Sequence, residues 1–315
     1  MDVPLWIWFA FLAFIIGMLA VDLGVFNREV HVVSFKESAI WTTVWVVVSL
    51  LFCVGIWIFA GGGHALEFLT GYLVEKSLAV DNIFIFVLIF AAFSVPPVLQ
   101  HRVLFWGIIG ALVLRGTLIL IGAVLIAEFH WILYVFGAFL VFTGIRMIRQ
   151  RDDEEFDVAE NPVIRTLRRI MPVTPDYHGN SFFTRAGGQR FATPLFAVIL
   201  VVMVTDVVFA VDSIPAIFAI TQDSFIVFTS NICAVLGLRA MYFMLADIVR
   251  RFRYLKHGLS FILVYIGVKM LLIDVYHIPT LFSLGVIAAI LTIAILASAR
   301  ATRNEEAAEQ YPSVS

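Results

Sequence analysis

Glu75-Lys76-Ser77-Leu78-Ala79-Val80-Asp81-Asn82-Ile83 and Asp206-Val207-Val208-Phe209-Ala210-Val211-Asp212-Ser213-Ile214 each place two carboxylates in a strongly apolar segment. An ionised acid at the centre of a bilayer helix costs roughly 2.5 to 3.5 kcal/mol, and acids retained there usually line an ion, proton or substrate path. Four of them, set out twice in the same way, ask for a cation.

The rest of the chain makes those segments membrane helices. It has 315 residues, 62% hydrophobic and 14% charged, with a mean hydropathy of +1.00. Soluble domains are about 45 to 50% apolar and about 25% charged. The expected fold is an all-α, polytopic membrane protein with about nine spans, each an apolar run of about 20 residues. The runs are Pro4 to Phe26, Ser38 to Ala60, Glu67 to Phe93, Val103 to Ala127, Trp131 to Ile148, Thr193 to Ile220, Phe225 to Val249, Gly258 to Tyr276 and Pro279 to Ala299. The first lacks a basic start and a small-residue cleavage site, so it reads as a retained span rather than a signal peptide. Cys53 and Cys233 fall inside runs and read as small packing residues.

Basic residues set the expected orientation. Arg28 and Lys36 follow the first run, Arg102 the third, a cluster from Arg146 to Arg190 the fifth, and Arg250, Arg251, Arg253 and Lys256 the seventh. Arg300 and Arg303 follow the last, while Lys76, Arg115, Arg239 and Lys269 lie within runs. The other loops have none, so they and the N-terminus are expected outside and the C-terminus in the cytoplasm. The acidic and basic clusters between Arg149 and Arg190 read as the solvated surface of a linker.

The repetition extends beyond the acids. Leu114-Arg115 answers Leu238-Arg239, and Gly144-Ile145-Arg146-Met147 answers Gly267-Val268-Lys269-Met270. The expected organisation is two N-terminal helices in 1–66, a three-helix repeat in 67–149, the linker in 150–191, a second repeat in 192–276, a ninth helix in 277–299 and a tail in 300–315. Because three spans is an odd number, the repeats are inverted, an architecture of secondary transporters with sites near the midplane.

On a regular helix, residues six apart lie about 120° out of line and residues seven apart within about 20°. Glu75 therefore shares a face with Asn82, and Asp206 with Ser213, while Asp81 and Asp212 sit beside that stripe. One ion could meet all four acids only where a helix bends, and Pro215 is the expected place. The oxygen donors Glu75, Asp81, Asn82, Asp206, Asp212 and Ser213, with Ser77 and Thr205 nearby, suit a hard divalent cation such as Mn²⁺, Mg²⁺ or Ca²⁺. Met203 reads first as packing and second as a soft ligand. Lys76, Arg115 and Arg239 would neutralise most of the acids in the empty site, and Asn231 would support it. The competing reading is a set of buried ion pairs that fix helix register.

At these residues the chain resembles the TerC family of integral membrane proteins, and within it an Alx-like branch. The resemblance rests on Gly71-Tyr72-Leu73-Val74-Glu75-Lys76-Ser77-Leu78-Ala79-Val80-Asp81-Asn82, Phe209-Ala210-Val211-Asp212-Ser213-Ile214-Pro215-Ala216-Ile217-Phe218-Ala219, Thr229-Ser230-Asn231 and Leu236-Gly237-Leu238-Arg239-Ala240-Met241-Tyr242-Phe243. It implies a polytopic protein of the bacterial inner membrane with roles in metal homeostasis, notably manganese efflux linked to alkaline pH, together with an association with tellurium resistance and a label as a redox modulator. Ser224 stands where relatives commonly have proline.

The expected function is therefore export of a divalent cation, manganese first, by alternating access with proton antiport. The cation is substrate, and no tightly bound cofactor, nucleic-acid partner or enzymatic activity is expected. No Walker-type sequence occurs. The rivals are a redox or pH sensor that carries nothing, and an intramembrane enzyme, which lacks a nucleophile or cofactor motif. Four acids would repel an oxyanion such as tellurite.

Overall fold

The computed structural model describes residues 3–26, 34–129, 131–149, 162–186, 189–245, 254–276 and 278–310. Helices α1 (Leu5–Phe26), α2 (Phe35–Ala60), α3 (Gly62–Ala92), α4 (Pro97–Glu128) and α5 (Ile132–Arg149) come first. After α6 (Pro162–Ile170) and a hairpin of β1 (Phe183–Ala186) and β2 (Gln189–Ala192) come α7 (Pro194–Phe218), α8 (Ser224–Leu236), α9 (Leu238–Leu245), α10 (Leu255–Leu271) and α11 (Thr280–Gln310). By length and composition, six helical stretches among the described residues can cross a membrane, and Leu5–Val21 and His257–Leu271 are shorter apolar helices. The 31-residue α3 carries Glu67, Glu75, Lys76 and Asp81 and is not one of the six.

Local chemistry explains the boundaries. Ser34 Oγ accepts from the Glu37 amide at 3.3 Å to start α2, a serine and glutamate at capping-box spacing. Gly61, at φ +92°, turns the chain from α2 into α3, a backbone angle that a Cβ resists. Thr193 caps α7 with Pro194 in its first turn, where the missing amide costs no hydrogen bond. Asp223 Oδ1 accepts from the amides of Phe225 and Ile226 to start α8.

Two differences from the sequence reading concern breaks. Pro215 lies in the last turn of an α7 that runs on to Phe218, so it does not interrupt the helix at the acids. The interruption is at Gly237, between α8 and α9. The linker also carries more structure than its charges suggested. Ile164 and Leu167 of α6 are buried against α7, and β1 pairs antiparallel with β2.

The helices pair crosswise: α3 lies along α8, α4 along α7, and α5 along α10. The last pair meets almost backbone to backbone. A Cβ on Gly267 would stand 2.7 Å from the Gly137 carbonyl oxygen, and one on Gly144 would stand 2.8 Å from that of Ser260. Approach this close needs residues without side chains, as in small-residue helix contacts in membranes.

The segment between α6 and α7 is tied to the turn after α3. Tyr177 donates its phenol to the Phe93 carbonyl at 2.9 Å, and burial pushes that phenol up to about 12. An unfolded tyrosine ionises near pH 10. The folded state therefore favours the neutral phenol, and this contribution is complete below about pH 10 and lost as pH rises through about 12. Tyr177→Phe is expected to flatten the dependence of stability on pH in that window, which thermal melts from pH 9 to 12 would read. An unchanged slope would disprove the assignment.

Candidate cation site

The acidic motif of each segment reaches the same buried point. Glu75 on α3 and Asp206 on α7 are each 1% exposed, and Arg115 on α4 is 0% exposed between them. Arg115 Nε donates to Asp206 Oδ2 at 2.7 Å and Nη2 to Asp206 Oδ1 at 2.9 Å. This two-bond fork is the strong form of a guanidinium–carboxylate pair. Nη1 donates to Glu75 Oε1 and lies 3.5 Å from both Ser213 Oγ and Asn231 Oδ1.

The seven-residue spacing is realised. Glu75 and Asn82 on α3, and Asp206 and Ser213 on α7, are all buried. Asp212, beside that stripe, is half-buried and faces Thr143 and Arg146 of α5. It does not join the other two acids at Arg115. Asp81 lies in α3, but its side chain is outside the described residues.

The other supporting residues separate. Lys76 turns to the α8 side, where Nζ donates to the Ala234 carbonyl at 3.2 Å and stands 5.9 Å from the Tyr72 ring centroid. Arg239 places Nη1 2.9 Å from His101 Nε2, so the imidazole nitrogen must be the acceptor. Ser77 Oγ donates back to the Leu73 carbonyl at 2.6 Å, and Thr205 is half-buried beside Asp206. Met203 fills the space left by Gly110 on α4, where a Cβ would overlap its side chain, which fits its packing role. The sequence reading did not single out His101 or Thr143. Thr143 stands directly before the repeated Gly144-Ile145-Arg146-Met147, a usable signal, whereas His101 has none.

Two carboxylates against one guanidinium leave one negative charge unbalanced. Glu75 Oε2 and Asn231 Nδ2 are buried without a hydrogen-bond partner among the described residues. A buried acceptor such as the Glu75 oxygen is costly unless a donor or cation meets it, and a buried donor such as the Asn231 amide nitrogen is costly unless an acceptor does. Among the described residues no three His, Cys, Asp or Glu side chains gather into a metal centre. The arrangement is a carboxylate pair from two helices, with amide and hydroxyl oxygens around it and a basic side chain in its middle.

Fold and site together define an all-α, multi-pass membrane protein with a charged cluster buried among its apolar helices. The comparisons name the class more closely. Residues 60–306 match the profile described as "Integral membrane protein TerC family", and the chain belongs to that family. It is 52% identical over 292 residues to "Uncharacterized membrane protein STKORF319" of Myxococcus xanthus, covering 93% of this chain and 91% of that protein. It is 49% identical over 299 residues to "Putative membrane-bound redox modulator Alx" of Salmonella typhi, covering 92% of each, and 48% identical to the protein of that name from Escherichia coli K12 over 302 residues, covering 93% and 94%. None of these names describes an enzyme. No solved structure matches the chain.

Proposed function

We propose that this protein is a secondary transporter that exports a divalent metal cation, Mn²⁺ first among them, in exchange for protons. The observation that carries this reading is the convergence of Glu75 and Asp206, matching residues of the duplicated motif, on the single buried guanidinium of Arg115. Arg115 holds the place of the transported cation in the empty carrier. The excess negative charge and the orphaned Glu75 oxygen favour replacement of Arg115 by a doubly charged ion with oxygen ligands from Asn82, Ser213 and Asn231. Asp81 and Asp212 serve as flanking acids on the ion's path.

The crosswise packing supports nine spans and two inverted repeats, 67–149 and 192–276. Gly144 matches Gly267 in the repeated motif, and seven residues earlier Gly137 matches Ser260. The close approaches are Gly137 with Gly267 and Gly144 with Ser260. Exchanging each residue for its match turns one contact into the other, as a two-fold relation between units requires. The basic loops favour an N-terminus outside and a C-terminus in the cytoplasm, and the family resemblance favours a bacterial inner membrane.

The test is ion flux in proteoliposomes, with Mn²⁺, Mg²⁺, Ca²⁺ and Zn²⁺ compared at two pH values. Wild type is expected to move Mn²⁺ with opposite proton flux, and Asp206→Asn to reduce the flux at least about tenfold, the effect of roughly 1.4 kcal/mol or more. Wild-type vesicles that pass no cation would reject transport.

The printed names of the Alx relatives favour a second reading, a membrane-bound redox modulator. Cys53 and Cys233 are both free, and Cys233 is buried against Ser49 and near Lys76. This reading expects a Cys53→Ala/Cys233→Ala variant to lose its redox effect in cells. The transport reading expects that variant to keep its Mn²⁺ flux.

A further inference from the structure

Arg115 and Arg239 hold matching places in the repeated motif, yet among the described residues it is Arg115 that bridges Glu75 and Asp206. Arg239, 4% exposed, is turned to His101. The backbone differs in step with the side chains. The helix carrying Arg115 runs unbroken from Pro97 to Glu128, whereas its counterpart breaks at Gly237, two residues before Arg239. Gly237 admits Lys76 and Trp45: a Cβ there would stand 2.7 Å from Lys76 Nζ and 3.3 Å from Trp45 Cβ.

Glu75 and Asp206 match each other, so a cation held between them lies where the two units meet. Leaving both acids buried without a cation is strongly unfavourable. A transporter of two inverted units changes state as one unit moves against the other around such a fixed site. When the units trade conformations, the unbroken helix and the broken one trade as well.

On the transport and repeat readings above, we propose that Arg115 and Arg239 exchange places as counter-ions: in the opposite-facing state Arg239 bridges Glu75 and Asp206 while Arg115 withdraws. The acids then keep a guanidinium in both empty states. Arg239 is a positioning residue for the return of the empty carrier, acting on the acids rather than on the transported ion.

A double-mutant cycle on purified, detergent-solubilised protein tests this, using Arg115→Gln, Arg239→Gln and the pair, with Tm as the readout. Each single variant retains one arginine able to cover the acids and is expected to fold. The pair is expected to lose about 5 °C more than the sum of the singles, or not to fold. Adding Glu75→Gln and Asp206→Asn should abolish that excess, a rescue that a merely structural role for Arg239 would not give. Additive single effects overturn the exchange, as does failure of Arg115→Gln to fold with Arg239 intact. The cycle does not depend on flux. A non-additive cycle in a protein that passes none of the four cations would reject transport and leave the exchange of counter-ions standing.

Discussion

Glu75→Gln combined with Asp206→Asn is expected to lower the stability of the folded protein by about 3 to 5 kcal/mol, the cost of leaving a buried charge without its partners. The reason is Arg115, which is 0% exposed and makes its three shortest hydrogen bonds to those two carboxylates. A guanidinium stays protonated in proteins, so it cannot escape by neutralising itself. The amides keep the shape but remove both negative charges, and each replaces one acceptor oxygen with an NH2 donor that cannot accept from Arg115. Adding Arg115→Met is expected to recover most of the loss, because a buried ion cluster replaced by apolar groups of similar volume is often as stable as the original. Melts of the double and triple variants in detergent decide the matter. A triple variant no more stable than the double would show that shape rather than charge balance governs the cluster.

The second large effect is steric and lies where α5 crosses α10. Gly267→Ala would put a Cβ 2.7 Å from the Gly137 carbonyl oxygen and 2.8 Å from the Val141 amide nitrogen. Both obstacles are backbone, so no side-chain rotation relieves them and the helices must separate. Overpacking of this kind costs about 1 to 3 kcal/mol, and Gly267→Ala is expected at the upper end. Gly110→Ala meets only the flexible side chain of Met203 and should cost less. Gly285→Ala meets nothing within 4 Å, and in the helix interior it should gain up to about 1 kcal/mol. Equal Tm values for the three variants would contradict the observed crossing.

The apolar runs made the helices legible, because length and composition suffice for that. The seven-residue spacing also located the buried faces, since Glu75, Asn82, Asp206 and Ser213 depend only on helical geometry. What sequence could not separate was the choice between equivalent groups. Leu114-Arg115 and Leu238-Arg239 read alike, and only the break at Gly237 makes their surroundings differ. Asp212 was as acidic as Asp206 in the pattern, but its neighbour Thr143 comes from a helix distant in sequence. Pro215 was read as the place where a helix could bend toward the acids, but it lies in the last turn of α7, and a proline signals a lost hydrogen bond without saying whether the helix is about to end there anyway. The structured part of the linker was hidden by its charge, although Pro162 and the Ile164 and Leu167 spacing marked a short amphipathic helix.

Arg115 also bears on how tightly any cation can be held at the acid pair. It is a competitor tethered to the site, and tethered groups act at effective concentrations of order millimolar or above. Any ion that binds there has to displace it, so its dissociation constant is weaker than that of the bare carboxylates by the strength of the Arg115 contacts. Occupancy then stays low at trace ion levels and climbs only when the ion is in excess.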